Sequence, residues 1–122
     1  MNVAAYDPHP PAEDNEYFTE PGTFTTVMRR DHTAVELHPD RVMLTVWPCY
    51  DQSYAAEALK AYRGDMVIYA GEDYGGCTAN DEFFDILERD WVWLSSAPNH
   101  VTWWGIHCRL NAYVRKTKSL TK

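Results

Sequence analysis

Two short apolar runs bracket a helix, and that arrangement limits the chain more than any other feature. Val42–Val46, "VMLTV", and Met66–Ala70, "MVIYA", are almost unbroken in apolar character. Such runs suit central strands covered on both faces. Between them lies Ser53–Tyr62, "SYAAEALKAY", rich in helix-favouring alanine. Asp51 or Ser53 can cap its start, and Gly64 stops it. Strand, helix, strand in that order makes a right-handed βαβ unit and demands parallel pairing.

The flanking segments extend the pattern. Val3–Tyr6 reads as a short strand ending at Asp7-Pro8, and Thr23–Met28, "TFTTVM", as another. Residues 8–23 between them hold Pro8, Pro10, Pro11 and Pro21, which forbid helix through most of the stretch. After the loop Gly71–Gly76, Thr78 with Asp81 resembles a capping box opening a second helix. Phe83, Phe84, Leu87 and Trp91 recur along it at helical spacing. Trp91–Ala97 and Arg109–Arg115 read as two strands, and the connection between them suits an antiparallel pair. The expectation is a three-layer α/β sheet, mostly parallel, with an antiparallel carboxyl-terminal pair and helices packed on the sheet.

At 122 residues the chain is long enough for one core, expected over residues 1–115, with 116–122 as a basic flexible tail. Arg115–Lys122 takes four of the 11 basic residues and none of the 18 acidic ones, so residues 1–114 carry seven against 18. An acidic body repels phosphate backbones, which disfavours a nucleic-acid partner. No apolar run is long enough to span a membrane, and "MNVAAYDPHP" lacks the basic and apolar regions of a signal peptide. A cytoplasmic protein with no membrane partner is expected. Cys49, Cys77 and Cys108 are odd in number and lack C-x-x-C spacing, which points to free thiols and to no metal site.

The segments "VAAYDPHPP", "VWPCYD", "ALKAYRGDMVIYAGEDYGGCTANDEFFDILERDW" and "WWGIHCRLNAYVRK" are similar to a group of methyltransferase-like proteins of actinobacteria and their phages. The ending of the chain resembles the carboxyl half of the Rossmann-like fold that binds S-adenosylmethionine. The resemblance implies a truncated sheet, because no G-x-G turn occurs in the chain. It also implies that Val3–Tyr6 is the family's second strand, with Asp7 placed to accept hydrogen bonds from the cofactor ribose. As a turn residue, Asp7 has the alternative role of initiating the bend before Pro8. The missing central strand would leave a gap, closed either by the first strand sliding over or by a second copy of the chain.

"WPCY" at 47–50 resembles the Asp/Asn-Pro-Pro-Tyr loop of amino-methyltransferases, but indole donates where that chemistry needs an acceptor. Trp47 and Tyr50 therefore either wall a binding pocket or cap the sheet end as core. Glu72 and His107 are the candidate acid–base residues, and Trp103 and Trp104 suit a protein interface. Together these features lead to a non-enzymatic protein that binds another macromolecule and needs no cofactor, with a host protein as partner if the chain is a phage's, or a homodimer. The alternatives are a small S-adenosylmethionine-dependent enzyme with a remodelled pocket, and one half of a split methyltransferase.

Overall fold

The computed structural model describes residues 2–10, 25–98, 100–102 and 104–116. In chain order the elements are strand β1 (Ala5–Asp7), strand β2 (Val27–Arg29), a 3-10 helix (His32–Leu37), strand β3 (Met43–Val46), helix α1 (Tyr54–Ala61), strand β4 (Met66–Gly71), helix α2 (Asp81–Asp90), strand β5 (Trp91–Ser96) and strand β6 (Arg109–Arg115).

The β3–α1–β4 unit forms as the apolar pattern requires, with β3 and β4 parallel and Met43 opposite Val67. The rest of the sheet corrects the expectation. The order is β3-β4-β6-β5, and β6 lies antiparallel to both β4 and β5. One ladder of three is parallel, so this is not the mostly parallel Rossmann sheet that the resemblance implied. Lodging the last strand between β4 and β5 is what turns two ladders antiparallel. The amino-terminal part departs further. β1 pairs only with β2, in a separate parallel two-stranded sheet. It does not slide over to meet β3, whose outer edge pairs with no described strand.

Alternation along the strands sorts the side chains of the four-stranded sheet onto two faces. Met43, Val67, Tyr69 and Trp91 point to one face and join Ala55, Leu59, Phe83 and Leu87 of both helices in a single core. Val67, Tyr69 and Phe83 are fully buried there. The Tyr69 ring meets Phe83 with centroids 5.1 Å apart and Phe84 edge-on at 5.9 Å. The opposite face carries Leu44 and Val46 of β3, Ile68 and Ala70 of β4, Leu110 and Ala112 of β6, and Val92 of β5, matched row by row in the ladder register. No described helix packs on it. Among the described residues the fold has two layers, not the three expected, and its second sheet face is apolar, with Leu44, Val46 and Val92 exposed on the outer strands.

Local signals explain the helix ends. Ser53 occupies the start of α1 but turns its hydroxyl to Glu57 at 2.6 Å rather than to the backbone. The cap of α2 is Asn80, whose Oδ1 accepts the Phe83 N–H at 3.0 Å, and not Thr78 as the sequence pattern predicted. Thr78 is buried and spends its hydroxyl on Tyr69 instead. The 3-10 helix had no apolar period to announce it. Asp31 starts it by accepting the Thr33 N–H at 2.9 Å.

The carboxyl end of β6 is clamped beneath the core. Arg115 donates from Nε to the Gly64 carbonyl at 2.9 Å and from an Nη to the Tyr62 carbonyl at 2.8 Å. Its guanidinium lies 4.5 Å from the Trp91 ring centroid, and that ring stacks on Tyr62. Gly64 has to be glycine, because a Cβ there would sit 2.2 Å from the Tyr62 hydroxyl oxygen. Arg115→Met keeps the apolar stem and removes the donors, leaving two carbonyls without their partner. We expect a loss of about 2 kcal/mol, read in urea as a lower unfolding midpoint at unchanged slope.

Candidate functional site

The ends of β3, β4 and β5 that point the same way gather three loops. Loop 47–53 follows β3, loop 72–80 follows β4, and the connection 97–108 joins β5 to β6. The first two are zipped by backbone bonds, Asp51 N–H to the Ala79 carbonyl at 2.8 Å and Ala79 N–H to the Pro48 carbonyl at 3.0 Å. The zipping holds three non-glycine residues in the left-handed region: Trp47 at φ 44°, Asp51 at 57° and Ala79 at 58°. Such backbone is costly for a bulky residue, about 1–3 kcal/mol each, and persists only where the surroundings impose it.

Glu72 ties the third loop to the second. One carboxylate oxygen accepts the Cys77 N–H at 2.7 Å and the other the His107 N–H, also at 2.7 Å. These two backbone bonds, His107 first, hold the carboxyl below its ordinary value. Glu72 is therefore charged at neutral pH, and each of its oxygens is occupied. Beneath it the Tyr69 hydroxyl bonds to Thr78 and donates to the Glu72 carbonyl at 2.6 Å. Burial pushes the Tyr69 phenol up to about 12, so it remains a donor. Gly71 is required here because a side chain would run into the Tyr69 hydroxyl. Arg109 closes the rim with an ion pair to Asp73 at 3.4 Å.

Not every candidate meets the others here. Glu72 and His107 do come together, but through the His107 backbone; the residue itself is exposed. Trp47 is 39 % exposed and Tyr50 is 67 % exposed, so neither caps the sheet end as core. Trp104 is 98 % exposed, and Trp103 lies outside the described residues. Asp7 stands in the small sheet, away from this end, and its Oδ1 accepts the His9 N–H at 2.8 Å in a turn. Among the described residues no group of three His, Cys, Asp or Glu side chains could hold a metal ion, and no helix is long and apolar enough to cross a membrane.

Sequence reasoning missed the contact at the centre of this end. The Cys108 sulfur receives the Trp47 indole Nε1–H at 3.2 Å and lies 3.1 Å from His100 Nε2. Neither spacing is a motif. His100 reaches Cys108 only because the 97–108 connection doubles back, with Ala97 N–H bonded to the Leu110 carbonyl at 2.9 Å.

The Glu72 bonds give a pH dependence. A carboxyl held below its unfolded value adds stability above about 4.5, and that stability is lost as pH falls through the folded value. Melting temperature should therefore drop between pH 5 and pH 3, at about the range where carboxyls titrate. In Glu72→Gln the drop should be smaller, with a lower melting temperature at pH 7, in calorimetric scans of both proteins.

Comparison with protein-family models, curated proteins and solved structures gives no match to this chain. Known proteins thus neither support nor oppose the methyltransferase resemblance of its sequence.

Proposed function

We propose that this chain acts by binding protein, through the uncovered face of its four-stranded sheet, and that the occupant of that face is a second copy of the chain. The observation that carries the reading is the exposure of Leu44 at 62 %, Val46 at 59 % and Val92 at 46 % on the face opposite both helices. Leu44 and Val46 lie on one outer strand of the sheet and Val92 on the other, so no described layer spans the face.

Two features favour a copy of itself. Among the described residues the strands of this face carry no charged side chain on it, so it offers a foreign partner no ion pair to recognise, whereas an apolar sheet face complements its own image about a two-fold axis. The net charge of −7 opposes association, yet the ion pairs His32–Glu57, Lys60–Glu82 and Arg89–Asp90 all belong to the helical side. Stacking the sheets about 10 Å apart turns the helical layers outward, roughly 20 Å or more from each other, beyond the Debye length of about 8 Å.

The size of the face sets the strength. Four strands at about 4.8 Å spacing, each some 17 Å long, make a footprint of about 300 Å². Stable interfaces bury about 800 Å² per partner. The expected dimer is therefore weak and reversible, at the low end of transient interfaces.

Sedimentation from low micromolar to millimolar protein should show monomer passing to dimer. Leu44→Lys puts a charge in the centre of the stack and should leave a monomer throughout, with an unchanged circular dichroism spectrum, since the side chain is open in the single chain. A wild-type chain that stays monomeric at millimolar concentration, or a dimer indifferent to Leu44→Lys, would overturn the reading.

A further inference from the structure

The contacts around Cys108 assign a second property, independent of the dimer. We propose that Cys108 is a nucleophilic thiol that hydroperoxides oxidise to a sulfenic acid, with His100 taking and returning the proton. The thiolate is the reactive form of cysteine. His100 Nε2, at 3.1 Å, is within reach of the thiol proton, which is the geometric requirement for a nucleophile and its base. Among the described residues the other acceptor beside the sulfur is the Arg109 carbonyl, at the longer distance of 4.0 Å. The Trp47 indole, at 3.2 Å, can only donate, so it can stabilise negative charge that develops on the sulfur when the proton leaves. The strained backbone at Trp47, with φ 44°, is what delivers the indole to this place.

The step balances without a further reagent. His100 removes the Cys108 proton, and the thiolate attacks one oxygen of the peroxide. The S–O bond forms and the O–O bond breaks. With hydrogen peroxide the distal oxygen leaves as hydroxide and takes the proton from the His100 imidazolium to become water; with an organic hydroperoxide it leaves as the alkoxide and becomes the alcohol. Sulfur loses two electrons, and the peroxide gains them. Acyl transfer fits less well. It needs donors aimed at a carbonyl oxygen beside the sulfur, whereas the indole N–H here ends on the sulfur itself.

The two remaining cysteines are internal controls. Cys77 is more exposed than Cys108, but its hydrogen bond to Glu72 and the Glu72 charge push its thiol up, toward the unreactive form. Cys49 is also exposed and faces the Tyr54 hydroxyl rather than an imidazole. If accessibility alone set the rates, both would react before Cys108.

The full chain treated with hydrogen peroxide at pH 7 and trapped with dimedone, then digested and read by mass spectrometry, gives a rate for each cysteine. Cys108 should label at least about ten times faster than Cys77, given the hundred-fold or greater effect typical of a placed base. His100→Gln should lower the Cys108 rate about ten-fold and leave the Cys77 rate unchanged. Loss of structure would instead raise the Cys77 rate. Should His100→Gln unfold the loop in that way, Trp47→Phe decides, because it keeps an aromatic side chain and removes the donor, and it too should slow Cys108 alone. Equal rates for the three cysteines in the wild-type chain overturn the proposal, as does a Cys108 rate that the folded variants leave unchanged.

Discussion

Handedness decides most of this structure. β3, β4 and β5 all run the same way, because β6 is antiparallel to both of its neighbours. The chain steps across the sheet in one direction, from β3 to β4 to β5, and each step is a crossover carrying a helix. Right-handed crossovers that advance in one direction place their helices on the same side. That is why Leu59 of α1 and Phe83 of α2 share a core with Val67 and Tyr69. A doubly wound sheet covers its second face by reversing direction part-way. The described strands contain no such reversal, since β1 and β2 form their own sheet, and β1 contacts the 3-10 helix. The apolar outer face follows from topology rather than from any local irregularity.

The same one-directional winding brings the ends of β3, β4 and β5 to one rim, where connections must be held without a helical layer on both sides. The chain meets this demand with backbone pairing and one charge. Two bonds zip loop 47–53 to loop 72–80, and the Glu72 carboxylate spans from Cys77 to His107. A carboxylate that accepts two backbone N–H groups is a strong tie, because each bond is charge-assisted. Left-handed backbone at Trp47, Asp51 and Ala79 is the cost of so tight an arrangement. Its consequence at Trp47 is an indole aimed at the Cys108 sulfur.

The sequence made the elements legible wherever hydrophobic period and length agreed. Met66–Gly71 departs from the expected Met66–Ala70 by one residue, and Tyr54–Ala61 lies inside the expected Ser53–Tyr62. What it could not show was which strands share a sheet. Val3–Tyr6 looks like any β-branched and aromatic strand, and nothing in its composition says that β2 rather than β3 is its partner. The unbroken "VMLTV" run implies burial on both faces, yet Leu44 and Val46 stand open. An apolar run reports that both faces avoid water, and it does not say whether the cover belongs to the same molecule. The site was legible in part. Glu72 was placed at the correct strand end, but its partners are backbone N–H groups, which no residue pattern encodes. His100 went unseen because its proximity to Cys108 depends on how the 12-residue connection 97–108 folds back, and long-range contacts of that kind leave no spacing signature.

Two routes to self-association are open to a sheet, edge against edge and face against face, and the chain treats them differently. Its edges are blunted. β3 is only four residues long and is stopped by the left-handed turn at Trp47. β5 exposes Val92, Trp93 and Leu94, but the register shift between Trp93 and Ser95 breaks the straight row of donors and acceptors that another strand would need. Short edge strands and bulges are the devices by which sheets avoid pairing with strangers. The face has no comparable protection, neither an inward lysine nor a proline nor a polar row among its described residues. A surface that guards its edges and leaves its flat side apolar is arranged for stacking, and stacking is the geometry in which two acidic helical layers stay furthest apart.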